Sequence, residues 1–284
     1  MKKKIAIFAV AAFALIILIS SCAPSLQWFI APKTVLIDDT HNNSYDFDGY
    51  GGTAFFAKLS TTLQSMGYSV AFTSSAGFSP ENYGVFLVTA PVTAYSSSEM
   101  QQVANFLSKC DRKLILLGEW YSYYDNTPLN DLLTYLGSGI SFNNETVYDD
   151  TNNYNSNNIW PVISNFEAHP VTSGLSTVVL FATATLNVTG SAVKLAYPSA
   201  TAYVAAPSLA SGNNSSYSPS SESFEPEVVI TPIIVIAADE IKRGKIVAIG
   251  DATLFANDVY GSLSGDDFID VAENTKLLKN IINW

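Results

Sequence analysis

Residues 113–117 read Lys113-Leu114-Ile115-Leu116-Leu117, an apolar run that begins with one lysine. A short run that is apolar at consecutive positions is typical of a strand buried on both faces of a parallel sheet. An amphipathic helical pattern precedes it, from Ser96 to Lys109, and Ser96 and Glu99 form a capping-box pair at its start. A second helix is predicted over Pro128 to Leu136, ending at Gly137. The order of helix, buried strand and helix indicates the α/β class.

The same alternation continues on both sides of this stretch. The apolar runs that predict further strands of the sheet are Thr34 to Asp38, Tyr68 to Thr73, Tyr83 to Thr89 and Lys245 to Ile249. The helical patterns that accompany them cover Thr53 to Met66, which Gly67 ends, and Ala272 to Ile282. Short strands separated by helices of this length predict a mostly parallel sheet with helices on both faces.

The second half of the chain has a different pattern, with more strands and fewer helices. Two polar segments, 143–158 and 207–226, are rich in Asn and Ser and predict loops. Strands are predicted over Val178 to Val188, Ala192 to Ala206 and Val228 to Ala237, with a hairpin-like turn at Arg243-Gly244. Because the last strand and helix can return to the first sheet, residues 34–284 are predicted to form one domain with a β-rich second half.

The N-terminus has the pattern of an export signal. Lys2, Lys3 and Lys4 precede an apolar run from Ile5 to Ile19, and small residues follow. This order is that of a signal peptide, predicted here over residues 1–21. The run would span about 22 Å as a helix, less than the roughly 30 Å of a bilayer core, so an uncleaved membrane span is the weaker alternative.

The end of this segment, Ile19-Ser20-Ser21-Cys22, resembles the lipobox of prokaryotic lipoproteins. The resemblance implies cleavage before Cys22, a diacylglyceryl thioether on that residue and a tether over residues 22–33. The chain would then be anchored to a membrane by lipid, on the extracytoplasmic side of the cell envelope. An ordinary secretory signal that contains a chance cysteine is the alternative.

Charge argues against one class of partner. The chain has 14 Lys and Arg against 25 Asp and Glu, a formal net charge of −11, and only 14% of its residues are charged. Nucleic-acid binding needs a cationic face for the phosphates, and the composition does not supply one. No nucleic-acid partner is therefore predicted.

Polar side chains follow the predicted parallel strands where ligands bind in open α/β sheets, beyond the carboxyl ends of the strands. Carboxylates beside an imidazole can bind a polyol or a cation, or transfer protons. In the alternative interpretation they have structural roles as turn caps, helix caps and surface charges. The candidate ligand-binding residues are Asp38, Asp39, His41, Glu119, Trp120, Asp251 and Asn257.

Several other kinds of site are not predicted. The chain has only two histidines, His41 and His169, and its spare cysteine is remote from both in sequence, so neither a zinc site nor any other metal site is expected. Asp46-Phe47-Asp48-Gly49 lacks the rest of a calcium-binding loop, and no cofactor-binding motif follows a strand directly. Because Pro170 follows His169, that histidine is expected in a structured turn rather than as a base.

Three segments carry a resemblance to a known family: Asp38 to Asn42, His169 to Leu175 and Gly250 to Asn257. They resemble a non-catalytic branch of the class I glutamine-amidotransferase-like superfamily. That branch includes periplasmic domains of gliding-motility ABC-transporter accessory proteins and the N-terminal domain of an intraflagellar-transport subunit. The resemblance implies a flavodoxin-like three-layer sandwich.

The resemblance also implies where a catalytic nucleophile would lie. True amidotransferases have a cysteine in the turn after the strand that corresponds to Leu114–Leu117, and this chain has Gly118-Glu119-Trp120 there. Without the thiolate there is no acyl-enzyme route, so glutamine hydrolysis is not expected.

These observations lead to three functional hypotheses. The first is a non-catalytic domain that binds a small polar or carbohydrate ligand, or an envelope partner protein. The second is a hydrolase that uses His41 with Asp39 or Glu119. The third is a scaffold subunit of an envelope or transporter-associated complex, with contact aromatics at Trp120, Tyr121, Tyr123 and Tyr124.

Overall fold

The computed structural model describes residues 31–43, 55–121, 124–205, 232–258 and 261–284. The signal peptide, Cys22, most of the tether and the polar segment 207–226 lie outside these residues. The helices are α1 (Ala57–Ser65), α2 (Thr73–Ala76), α3 (Ser97–Phe106), α4 (Thr127–Leu136) and α5 (Asn274–Asn283). The strands are β1 (Thr34–Ile37), β2 (Ser69–Phe72), β3 (Val85–Thr89), β4 (Lys113–Leu117), β5 (Ile140–Phe142), β6 (Thr146–Tyr148), β7 (Val162–Ile163), β8 (Asn165–Phe166), β9 (Val178–Val179), β10 (Leu186–Val188), β11 (Val193–Tyr197), β12 (Tyr203–Ala205), β13 (Ile236–Ile241) and β14 (Gly244–Ile249).

One large mixed sheet organises the described part of the chain. Its eight strands follow the order β2-β1-β3-β4-β14-β13-β11-β8. The first five are mutually parallel, and the last three pair in antiparallel fashion. The small two-stranded sheets β10-β5, β12-β6 and β7-β9 accompany it. The α/β class with a mostly parallel central sheet is confirmed.

Side chains of the parallel strands alternate between two apolar layers. The layer that contains Ile115 and Leu117 packs against α1 and α5, and the layer that contains Leu114 and Leu116 packs against α3 and α4. This alternation is the period-two geometry of a strand with both faces covered. The run of residues 113–117 that defined the fold class lies buried at the centre of the sheet.

The predicted helix boundaries agree closely with the structure. Ser96 and Glu99 form both hydrogen bonds of a capping box at the start of α3. Gly137 ends α4 in the left-handed conformation at φ 75°, where a residue without Cβ is favoured. Local signals were sufficient here because caps depend on a few neighbouring residues.

The second half departs from the prediction in several places. Residues 143–158 were predicted to be a loop, yet they contain β6, whose Val147 is fully buried. The strand predicted over Val178 to Val188 is interrupted, because the backbone between β9 and β10 donates hydrogen bonds to Asp251 and to the carbonyl of Gly250.

The strand predicted over Val228 to Ala237 was also misplaced. Residues 232–235 have no regular structure, and the strand that follows them, β13, runs from Ile236 to Ile241. It continues through a turn into β14, so the predicted hairpin is confirmed. Among the described residues, no helix has the length and apolar character needed to cross a membrane.

Candidate functional site

Asp38 and His41 form a buried ion pair just beyond the carboxyl end of β1. Nδ1 of His41 lies 2.9 Å from each carboxylate oxygen of Asp38, and the two side chains are 5% and 0% exposed. The Asp38 N–H donates to the carbonyl of Leu87 in the neighbouring strand β3. The sheet itself therefore fixes the carboxylate that orients the imidazole.

Hydroxyl groups from two other segments converge on Asp38. Tyr95 donates its phenolic proton to Oδ2, and Thr73 and Thr40 lie 3.1 and 3.3 Å from Oδ1. Burial opposes the charge of Asp38, but the hydrogen bonds from His41, Tyr95 and Thr40 outweigh burial and lower the pKa of this carboxyl. Asp38 is thus an ionised group that joins β1, the start of α2 and the loop before α3.

The second nitrogen of His41 faces another carboxylate. Nε2 lies 3.5 Å from Oε1 of Glu99, whose other oxygen accepts from the N–H and hydroxyl of Ser96 in the capping box. Burial disfavours the charged imidazole, but the carboxylates of Asp38 and Glu99 outweigh burial and raise the pKa of His41. The imidazole also packs against the ring of Tyr95, with 3.9 Å between the ring centroids. Both acids therefore favour the imidazolium form of His41.

Asp39 lies on the exposed side of the same cluster. Its carboxylate accepts from the N–H and hydroxyl of Ser74 at 2.7 and 2.5 Å and from Thr73 at 2.8 Å. It therefore caps the start of α2, and its described contacts go to α2 rather than to His41. The orienting role expected for Asp39 in a hydrolase does not match these contacts.

Glu119 and Trp120 follow β4, two strands away from β1 in the sheet. Glu119 is 1% exposed, and its Oε1 accepts from the N–H of Trp120 at 3.0 Å. Asn126 holds the Glu119 backbone through both its N–H and its carbonyl. The alternative interpretation of Glu119 as a surface charge is wrong, because Glu119 is buried, whereas the neighbouring Trp120 is half-buried.

The structure describes two of the three tyrosines that were proposed as contact aromatics. Tyr124 is 5% exposed and donates its hydroxyl to the carbonyl of Pro91, so it packs within the domain. Tyr123 lies outside the described residues, and Tyr121 is half-buried. Tyr124 is therefore removed from the set of surface aromatics.

Asp251 follows β14 and has a structural environment. It is fully buried, and it accepts from the N–H of Phe181 at 2.6 Å and from the N–H and hydroxyl of Thr253 at 2.7 Å each. Burial raises the pKa of Asp251 to about 7, although these donors favour the charged form. Asp251 ties the segment after β9 to the turn after β14.

Asn257 caps a helix. Its Oδ1 accepts from the N–H of Lys58 in the first turn of α1 at 2.9 Å, and its own N–H donates to the carbonyl of Phe55. The Asn257 side chain thus satisfies a backbone donor that a helix start leaves unpaired. The sequence indicated no partner for it, because the capped helix lies about two hundred residues earlier.

The structure brings together only part of the predicted site. Asp38, Asp39 and His41 share one network, while Glu119 and Asp251 follow strands two and three positions away in the sheet, or about 10 and 14 Å at the usual strand spacing. Tyr95, Thr73 and Glu99 belong to the network but were not predicted as site residues. Glu99 had been assigned only to the capping box, which uses one of its two oxygens.

The chemistry available to this cluster is limited. A general base must present an unprotonated nitrogen to its substrate, and both nitrogens of His41 face carboxylates in a nearly closed site. Within the described ranges, no group of three or more His, Cys, Asp or Glu side chains could hold a metal ion. The arrangement is suited to fixing the loops that follow β1 at the carboxyl ends of the strands.

Comparison with known proteins gives information about the fold only. No model of a known protein family matches the chain, and no curated protein sequence matches it. Among solved structures, the mmIFT52 N-terminal domain is similar, with 14% identity and a TM-score of 0.61, over 88% of this chain and 96% of that one. The predicted likeness to an intraflagellar-transport N-terminal domain is confirmed at the level of the fold.

Two bacterial structures are also similar. Cytoplasmic Protein STM1381 from Salmonella typhimurium LT2 has 10% identity and a TM-score of 0.50, and it matches over 88% of this chain and 98% of its own. Cytoplasmic Protein STM3548 from Salmonella typhimurium has 11% identity and the same TM-score, over 88% and 97%. At these identities the three structures share an architecture with this chain, which assigns it to a class of α/β domains.

Proposed function

We propose that this chain is a non-catalytic binding domain of the cell envelope, and that the carboxyl edge of its sheet contacts a small polar or carbohydrate ligand. The observation that carries the proposal is the position of His41 between Asp38 and Glu99. A histidine whose two nitrogens both face carboxylates has no nitrogen turned toward a substrate to take up its proton. Asp39 and Trp120 are the half-buried residues through which a ligand would be contacted.

The same geometry weighs against the hydrolase hypothesis. Asp39 is engaged with α2, and Glu119 follows a strand two positions away from the one that precedes His41. Neither Asp39 nor Glu119 therefore orients His41, whose Nδ1 contacts Asp38 instead. Hydrolase activity toward ester, glycoside or amide substrates that disappears in His41→Gln, while folding is retained, would favour that alternative.

The order of the parallel strands supports a finer assignment of the fold. A parallel order of β2-β1-β3-β4 is that of flavodoxin-like sheets, which supports a class I glutamine-amidotransferase-like domain. The turn Gly118-Glu119-Trp120 lacks the cysteine of that superfamily. We therefore propose that the chain belongs to a non-catalytic branch that has this fold without the nucleophile.

The proposed location depends on Cys22. Its thiol would carry the lipid that anchors the protein outside the cytoplasmic membrane. We propose no cofactor, and an envelope protein is the alternative partner to a small ligand. Metabolic labelling with a fatty-acid analogue tests this: the chain is expected to incorporate label, and Cys22→Ser is expected to abolish incorporation. Equal labelling of both proteins would end the lipoprotein assignment.

Binding at the carboxyl edge is tested by calorimetric titration of the purified chain with glycans and with divalent metal ions. Trp120→Ala and Asp39→Asn are expected to weaken the binding of a ligand. Tyr135→Ala and Asp131→Asn, at exposed positions of α4, are matched controls and should leave it unchanged. Unchanged affinity in both rim variants would remove this edge as the binding surface, and capture of an envelope protein that depends on Trp120 would favour the scaffold hypothesis.

A further inference from the structure

A groove of about 880 Å³ lies beside β8, the edge strand on the side of the sheet away from β1. It is bordered by the edge strand β8, by the turn that includes the 3-10 helix Pro170–Thr172 and by the C-terminal end of α5. Its volume lies within the range of roughly 300–1,000 Å³ that is typical of small-molecule sites. None of the candidate residues derived from the sequence lines it.

Hydrogen bonds hold the walls of the groove together. Asn280 on α5 donates to the carbonyls of Val171 and Ser173 at 3.1 and 2.9 Å, and Thr172 donates its hydroxyl to the carbonyl of Glu167. These contacts join the turn to a helix more than a hundred residues later. The groove is thus formed in advance, which lowers the entropic cost of binding a ligand.

His169 lines the groove as a neutral ring with a defined tautomer. Its Nδ1 accepts from the N–H of Val171 at 3.2 Å, so the proton of the neutral ring resides on Nε2. Burial lowers the pKa of His169, which keeps the imidazole uncharged near neutral pH. The turn predicted at this position is confirmed, and the same turn leaves Nε2–H as a hydrogen-bond donor.

Two further polar groups of the groove lack partners within the described part of the chain. They are the indole N–H of Trp284, whose ring lies 4.7 Å from that of His169, and the carboxamide of the exposed Asn283. With the imidazole they provide three N–H donor groups and one carbonyl acceptor beside an aromatic wall. Such a mixture suits hydroxyl groups, which donate and accept in turn.

The lysines that border the groove are already paired. Lys276 contacts the carbonyl of Gly174 and the carboxylate of Glu273, and Lys245 contacts the backbone oxygen of Trp284. Glu167 faces the neutral hydroxyl of Tyr197, which supplies no counter-charge. A phosphate would therefore meet no unpaired cation among these residues.

We propose that the groove between His169 and Trp284 is a second binding site, and that it takes a neutral polyhydroxylated ligand such as a mono- or disaccharide. The site is independent of the proposal for the carboxyl edge, because the two lie at opposite edges of the sheet. His169, Asn283 and Trp284 are the residues that would contact the ligand.

The test is calorimetric titration of the purified full chain with glucose, galactose, N-acetylglucosamine, maltose, cellobiose and lactose, with glucose 6-phosphate as the charged probe. At least one neutral sugar is expected to bind, and glucose 6-phosphate is expected to bind more weakly. His169→Asn keeps an acceptor for the Val171 N–H but removes the Nε2 donor. This variant and Asn283→Ala should each weaken the binding of that sugar about three- to tenfold.

Asn105→Ala, at an exposed position of α3, is the matched control and should bind as the unaltered chain does. Trp120→Ala and Asp39→Asn should also leave this binding unchanged, which separates the groove from the carboxyl edge. Three results would overturn the inference. No neutral sugar binds at a concentration on the order of 10 mM, neither groove variant changes the affinity, or glucose 6-phosphate binds more tightly than glucose.

Discussion

The chain has two histidines, and the fold places them in contrasting environments at opposite edges of one sheet. His41 lies between Asp38 and Glu99 in a nearly closed network, where two carboxylates favour the imidazolium ion. His169 lies in an open groove, where burial favours the neutral ring and a backbone N–H occupies one nitrogen. The comparison shows that one residue type can be enclosed by carboxylates at one site and keep an N–H donor directed to a groove at another.

Replacing the two histidines should separate their roles with the largest effect. His41→Gln leaves the buried Asp38 carboxylate without its cation and is expected to cost about 3–5 kcal/mol of unfolding free energy. His169→Asn keeps the cap of its turn and should cost less than about 0.5 kcal/mol. Urea denaturation of both variants measures the difference, and equal destabilisation would contradict the contrast between the edges.

Asp251 sharpens the comparison because it is a buried carboxyl whose described partners are N–H and O–H donors rather than a cation. Its folded-state pKa of about 7 lies above the unfolded value of 3.8, so the folded state binds more protons between these values. Its contribution to stability should therefore fall by roughly 3–4 kcal/mol as the pH rises from 4 to 7.

The measurement is the unfolding free energy across this pH range for the unaltered chain and for Asp251→Asn, which does not titrate. The variant should show a flatter profile between pH 4 and pH 7. An identical slope in both proteins would show that Asp251 is ionised in the folded state throughout this range.

The Glu99 side chain is 26% exposed, more than those of Asp38 and His41, and its variant should have the smallest effect. Glu99→Gln retains the capping box, because Gln can occupy that position, but removes the charge beside Nε2. We expect a loss of about 0.5–1 kcal/mol and a lower pKa for His41. Glu81→Gln is the control, and an unchanged His41 pKa in Glu99→Gln would remove Glu99 from the pair.

Much of the fold could be predicted because its signals are local. The run at residues 113–117 matched β4 at both ends, and the Ser96 and Glu99 pair fixed the start of α3. The strand β6 was missed because three residues within an Asn-rich segment give no period, and its pairing partner β12 lies much later in the chain. Pairing partners far apart in sequence leave no local pattern.

The site was less predictable for the same reason. The rule that ligand sites follow the carboxyl ends of parallel strands located Asp38 and His41, but it could not distinguish residues three strands apart. Tyr95 reaches Asp38 from a loop 57 residues later, and His169 meets Trp284 only because α5 returns to the edge of the sheet. Side-chain convergence depends on loop paths, which spacing and composition do not encode.

The most direct test of the account is an NMR titration of the two imidazole rings, whose carbon-bound protons give one set of signals for each histidine. Signals are assigned with His169→Asn, which removes one set. We predict that His41 titrates above the ordinary value of 6.5 and His169 below it. A His41 that loses its proton at or below 6.5 would be free to act as a base, and that result would contradict the non-catalytic assignment of the carboxyl edge.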